Sequence, residues 1–153
     1  MTRTVKSDDT RAAVNTILWR YLEDLPLMVL VHNDMPPADD EWDVYAAKLH
    51  ELQPIGRLQR VLVLGEGSTG PNSRQRQKMH YEKEPPVKVA VVTPSFVGRG
   101  VATALSWFFA IRAFAPTNID DAFEYLAIPR RDWPAVRHVV ATLRLQLSSS
   151  SKR

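Results

Sequence analysis

The sequence predicts an α/β fold: a single-layer, mainly parallel sheet of four to five strands, opened by a β-hairpin, with helices packed on it. Three observations predict it. Short continuous apolar runs at residues 27–32, 60–64, 87–92 and 111–114 have the length and β-branched content of buried strands. Stretches with apolar residues at helical spacing separate them, and such alternation calls for parallel pairing through right-handed crossovers. Proline and glycine clusters punctuate the junctions.

Taken in order, residues 1–12 are polar and aperiodic and predict a flexible tail. Residues 16–22 are rich in β-branched and aromatic side chains, and Glu23-Asp24-Leu25-Pro26 can turn the chain into the run at 27–32, giving the hairpin. A helix over 10–23 is the competing reading, because Ala13, Ile17 and Tyr21 recur every four residues. Pro36-Pro37 closes the second strand. Asp39 is then a fair N-cap, with Asp40 and Glu41 at the positive end of a helix whose apolar stripe is Trp42, Tyr45, Ala46, Leu49 and Leu52. That helix stops at Gln53-Pro54-Ile55-Gly56.

The strand at 60–64 runs into a glycine-rich loop, Gly65 to Asn72, and Asn72 can cap a polar helix over 73–82. Pro85-Pro86 precedes the strand at 87–92, and Thr93-Pro94-Ser95 starts a helix reaching Phe109 or Ala110. After the strand at 111–114 comes a helix burying Ile119, Ala122, Phe123 and Leu126, broken at Pro129. Asp132 caps a last helix, with Pro134 in its first turn and Val136, Val139, Val140, Leu143 and Leu147 turned inward. Residues 13–147 form one domain and 148–153 a second flexible tail.

Composition removes several classes of chemistry. The 153 residues hold no cysteine, which excludes disulfides, thiolate metal sites and cysteine nucleophiles. No apolar core follows Arg3 and Lys6, so export is not expected and the reading is cytoplasmic. The longest apolar-rich run, 101–114, is interrupted by Thr103, Ser106 and Arg112 and is too short to span a bilayer, so it is expected to be buried in protein. A net charge of +3 is too small for a nucleic-acid binder. The charges are nonetheless segregated: residues 33–53 carry six carboxylates against Lys48, and residues 130–153 six basic groups against Asp132. Such a split favours self-association or an acidic partner.

Gly65-x-Gly67-x-x-Gly70 after a strand matches the dinucleotide-binding turn literally. However, Pro71-Asn72 delays the helix and no acid ends the next strand, so a connecting loop is expected and no cofactor is implied. Arg74 and Arg76 at a helix start could meet an anion, and Gly98-Arg99-Gly100 could let backbone approach a ligand, although solvated surface and close helix packing explain them as well. His32, His50, His80 and His138 form no ligand pattern, so no metal is expected. Gly67-Ser68-Thr69-Gly70 lacks the nucleophile-elbow form. Trp42, Trp107 and Trp133 read as packing residues.

In an open parallel sheet, loops leaving the C-terminal strand ends share one edge, where ligands bind. That edge would gather Asn33, Asp34, Ser68, Thr69, Asn72, Thr93, Ser95 and Arg99. A receiver-like site would use Asp34 and Thr93 but needs a lysine after 111–114, where none stands.

A hairpin followed by alternating strands and helices, with a Ser/Thr-bearing loop leaving a central strand into a helix, resembles the STAS group, the anti-anti-sigma-factor-like domains that include Sec14-type variants. The resemblance covers about residues 15–147 by topology and pattern. In anti-anti-sigma factors a serine is phosphorylated in an Asp-Ser-Ser-Gly loop; Gly67-Ser68-Thr69-Gly70 occupies that place, without the leading aspartate and with Pro71 behind it. The resemblance implies a regulatory module of bacterial-type signalling, acting through a protein partner or self-association and without catalytic machinery, with Ser68 and Thr69 as candidate phospho-acceptors. The alternative is a small-ligand or phosphate-binding domain, or an enzyme, using the strand-end loops.

Overall fold

The computed structural model describes residues 15–66, 70–78, 87–95, 100 and 110–151. Strands β1 (Ile17–Leu22) and β2 (Leu27–His32) form the opening hairpin, so the strand reading prevails over the helical one there. Helix α1 (Asp39–Leu52), β3 (Arg60–Gly65), α2 (Ser73–Lys78), β4 (Lys88–Val92) and β5 (Ala110–Phe114) follow, then α3 (Ile119–Tyr125) and α4 (Trp133–Ser151). The expected tail at 1–12, the helix reaching Phe109 and the continuation of α2 to residue 82 lie outside the described residues.

The sheet order is β1-β2-β3-β4-β5, antiparallel at the hairpin and parallel thereafter. This order never reverses. Right-handed crossovers that always step in the same direction deposit their helices on one face. α1 accordingly buries Trp42, Tyr45, Leu49 and Leu52 against Met28, Leu30, Val61 and Val89, and α2 lies beside it, the Trp42 Nε1 donating to the Gln75 carbonyl at 2.8 Å. The opposite face must be covered by chain that follows β5. There Phe123, Leu126, Val136, Val140, Leu143 and Leu147 pack on Leu27, Val29, Val31, Leu62, Leu64 and Val92. Each large side chain so buried contributes about 1.5–3 kcal/mol.

Several local expectations are corrected. The N-cap of α1 is Ala38 and not Asp39, because the entry is tied by a side chain from the residue before β1: Thr16 Oγ1 accepts from the Ala38 N–H at 3.0 Å. Glu41 stands three residues past the cap, where a capping-box glutamate would turn back to the cap amide. Here its carboxylate accepts instead from the Thr16 N–H and hydroxyl, at 2.9 and 2.7 Å. A short 3₁₀ turn, Arg130–Asp132, leads into α4, so Asp132 sits inside that turn; Pro134 falls in the first turn of α4, which continues to Ser151. The part of the 101–114 run that is described, β5, is the least buried strand, because it ends the sheet order. Among the described residues no helix is long and apolar enough to cross a membrane.

α3 ends before Pro129, in a turn made by Ala127. Ile128 N–H reaches the Phe123 carbonyl at 3.1 Å and Ala127 N–H the Glu124 carbonyl at 2.9 Å, the paired bonds of a Schellman motif, and Ala127 takes φ +57° to make them. Arg60 ties this helix end to the hairpin turn, its Nε donating to Leu126 O at 2.6 Å and its Nη1 to Leu25 O at 2.5 Å. A cation at that position also faces the negative end of the helix. A left-handed residue with a Cβ costs about 1–2 kcal/mol, which glycine avoids at some entropic cost. Ala127→Gly is therefore expected to raise the unfolding free energy by about 1 kcal/mol in urea titrations; an unchanged or lowered midpoint would contradict the strained turn.

Candidate strand-end site

The parallel register brings the exits of β2, β3 and β4 to one rim. His32 lies opposite Gly65, and one step further Thr93 N–H donates to the Phe114 carbonyl of β5 at 3.0 Å. Asn33 and Asp34 leave β2 here, and Thr93 and Ser95 leave β4. Of the eight residues expected at this edge, Asn33, Asp34, Asn72, Thr93 and Ser95 are described; Ser68, Thr69 and Arg99 lie outside the described residues.

Most rim side chains are engaged with the protein's own backbone. Asn33, buried, donates from Nδ2 to the Asn15 carbonyl at 3.2 Å and accepts from the Met35 N–H at 3.0 Å, which fixes the path of the chain out of β2. Thr93 Oγ1 accepts from the Ser95 N–H at 3.2 Å. Asn72 does cap α2, as expected: its Oδ1 accepts from the Gln75 N–H at 2.8 Å, while Gln75 Oε1 accepts from the Asn72 N–H at 3.0 Å, a reciprocal capping box. Gln75 then clamps α2 to the start of α1, its Nε2 donating to Pro37 O at 2.9 Å and Asp39 Oδ1 at 2.8 Å. Arg76, considered as an anion ligand, folds back onto the loop, donating to Pro71 O at 2.7 Å and Ser73 Oγ at 3.1 Å. Asp34 is exposed at the rim.

The first glycine of the Gly65-x-Gly67-x-x-Gly70 pattern has its own explanation. A Cβ on Gly65 would lie 2.4 Å from His32 Nε2 and 2.5 Å from its Cε1, so the histidine ring occupies the space a side chain would need. Among the described residues nothing lies within 4 Å of a Cβ on Gly70, so none of them supplies the close packing that the third glycine of a dinucleotide turn would require. His32 is 8% exposed, and its Nδ1 is 3.0 Å from the Asn33 carbonyl, which makes Nδ1 the donor of the neutral ring and leaves the lone pair on Nε2. Burial holds the imidazole below its ordinary value of 6.5, against the Asn33 carbonyl and the Glu66 carboxylate, which pull it up.

Sequence reasoning treated His32 only as one of four scattered histidines. The signal was present, a histidine ending an apolar run with a glycine ending the next, but it becomes a contact only once the register is known. His50 is an exposed group on α1 reaching Lys78 O at 2.6 Å, His138 is exposed on α4, and His80 lies outside the described residues. No cluster able to hold a metal occurs among the described residues. Trp42 and Trp133 are core residues, each with its indole N–H bonded to a backbone carbonyl; Trp107 lies outside the described residues. No family model, curated protein or solved structure matches the chain.

Gly65→Ala should push the buried imidazole aside and cost about 1–3 kcal/mol, as overpacking does. If that contact is the cause, His32→Ala combined with Gly65→Ala will be more stable than the sum of the single effects by at least about 1 kcal/mol, measured by denaturant unfolding; additive effects would remove the explanation.

The pH response follows from the same ring. A histidine with a lowered folded value leaves the unfolded chain binding more protons just below 6.5, so stability is unaffected above about pH 7 and falls as pH drops through 6.5 toward the folded value. Comparing unfolding free energies at pH 7.5 and 5.5, wild type should lose more than His32→Gln, by up to about 1.4 kcal/mol, since pH 5.5 lies one unit below the unfolded value. Equal losses would mean that His32 is not held neutral.

Proposed function

We propose that the chain is a non-enzymatic, STAS-like interaction module that presents its strand-end rim to a protein partner. The observation that carries this reading is the use made of the rim side chains. Asn33, Thr16, Glu41, Asn72, Gln75 and Thr93 all hydrogen-bond to the protein's own main chain, which holds a surface in one shape before anything binds. A surface already ordered loses less freedom on association, so more of the contact energy appears as affinity. Support for the STAS-like reading comes from the place of the loop bearing Ser68 and Thr69: it leaves β3, the middle strand, and ends at the Asn72–Gln75 capping box clamped to α1. A phosphate on either hydroxyl would change the charge of that rim, which is how a regulatory member of such a group would switch partners.

The reading as a phosphate-binding domain has less to stand on, because Arg76 already serves the loop carbonyl and Ser73. Two measurements decide between the two. Light scattering on the full chain, with affinity capture from its native host, should give either a mass above 17.4 kDa that rises with concentration or one partner at fixed stoichiometry. Thermal melts with nucleotides, phosphorylated metabolites and lipids should stay flat, since ligand at 100 times its Kd would add about 2.7 kcal/mol. A strict monomer without partners, or a ligand-dependent rise in Tm, overturns the proposal.

A further inference from the structure

β5 closes the sheet order, pairs only with β4 among the described residues, and is the most exposed of the five strands. Its centre carries Arg112, exposed, and the register sets Arg112 beside Ala90 and Ala110 beside Lys88, so Arg112 and Lys88 are diagonal neighbours on the α3 face. Neither cation joins a carboxylate among the described ion pairs, although basic groups on α1, α2 and α4 do: Lys48 with Glu51, Lys78 with Asp43, Arg137 with Asp120. Both lie over the ring of Tyr125, Lys88 Nζ at 5.4 Å and Arg112 at 5.7 Å from its centre, and Phe114 packs on the same ring at 6.0 Å. The edge strand thus carries Arg112, with Lys88 of β4 behind it over the same aromatic platform, and the end of β5 runs into the rim at Thr93.

A cation at the centre of an edge strand guards it against its own copy. In a two-fold antiparallel pairing of β5 with β5, centred on the middle of the strand, Arg112 would face Arg112, and like charges directly opposed are destabilising. A strand bearing carboxylates meets no such penalty: main-chain pairing supplies affinity and the side chains supply selectivity. We infer that the β5 edge receives an extended, carboxylate-bearing segment of a partner protein, which adds a sixth strand to the sheet and sets its acids against Arg112 and Lys88. The inference rests on the chain being an interaction module.

The test uses the full ¹⁵N-labelled chain titrated with an acetylated, amidated (Val-Glu)₄ peptide and with its (Val-Lys)₄ counterpart. The acidic peptide should shift the amides of residues 110–114 saturably and the basic one should not. Arg112→Glu should weaken the acidic peptide at least tenfold and admit the basic one, and Lys88→Glu should weaken it less; circular-dichroism melts establish that both exposed variants fold. The inference is overturned if neither peptide binds at millimolar concentration, if both bind alike, or if Arg112→Glu leaves the acidic affinity unchanged, in which cases Arg112 only guards the edge. A partner captured equally by wild type and Arg112→Glu removes this edge from the interaction while the module reading stands; no partner for wild type removes the module reading itself.

Discussion

The arrangement depends on β2 being apolar and buried along its whole length. It pairs antiparallel with β1 and parallel with β3, so the direction of the sheet changes across it, and all six residues are withdrawn from water. A strand buried on both sides needs cover on both sides. α1 covers one face as part of the crossover to β3, whereas α4, formed by the last part of the described chain, has to come back to the other face. The core is therefore closed by contacts far apart in sequence, and the C-terminal helix is a structural requirement of the hairpin at the other end.

The unreversed strand order also shapes the functional edge. In doubly wound sheets a ligand crevice opens where neighbouring crossovers diverge to opposite faces at a reversal of strand order. Here α1 and α2 leave on the same face and are clamped together by Gln75 and Trp42, so the region between β2 and β3 is closed by packing. Among the described residues the rim is bonded internally, through Asn33, Asn72, Gln75 and Thr93, and it is on this ordering that the proposal of a protein partner rests.

Much of this was legible in the residues. The run at 27–32 and the stripe Trp42, Tyr45, Leu49, Leu52 fall where periodicity puts them, because each is a local pattern imposed by burial. What was not legible is what one element does to another. Ala38 rather than Asp39 caps α1 because Thr16, 22 residues earlier, reaches the helix entry. Ala127 ends α3 in a conformation glycine would have signalled, since Ile128 must return to the core beside Phe123. Gly65 read as the first residue of a connecting loop and is a seat for His32, a contact visible only after the strands are in register. Of the rim residues named from sequence, those described do lie at the strand ends or at the helix start beside them, yet the side chains of Asn33, Asn72 and Thr93 serve the backbone, a use that residue type alone does not reveal.

The charge pattern shows the same distinction between chain order and space. Along the sequence the acids of 33–53 and the bases of 130–153 look like two poles. Folding places partners of opposite sign beside each: α2 brings Lys78 to Asp43 on α1, and α3 brings Asp120 to Arg137 on α4. Exposed pairs of this kind add little stability, about 0–1 kcal/mol each. Their effect is local: each sets one charge of opposite sign against a helix, Lys78 against α1 and Asp120 against α4. On the sheet itself Lys88 and Arg112 lie around Tyr125, and no ion pair among the described residues joins either to a carboxylate. Burial pushes the Tyr125 hydroxyl above its ordinary value while Arg112 opposes that rise, so at neutral pH the phenol stays protonated and does not neutralise the cations itself.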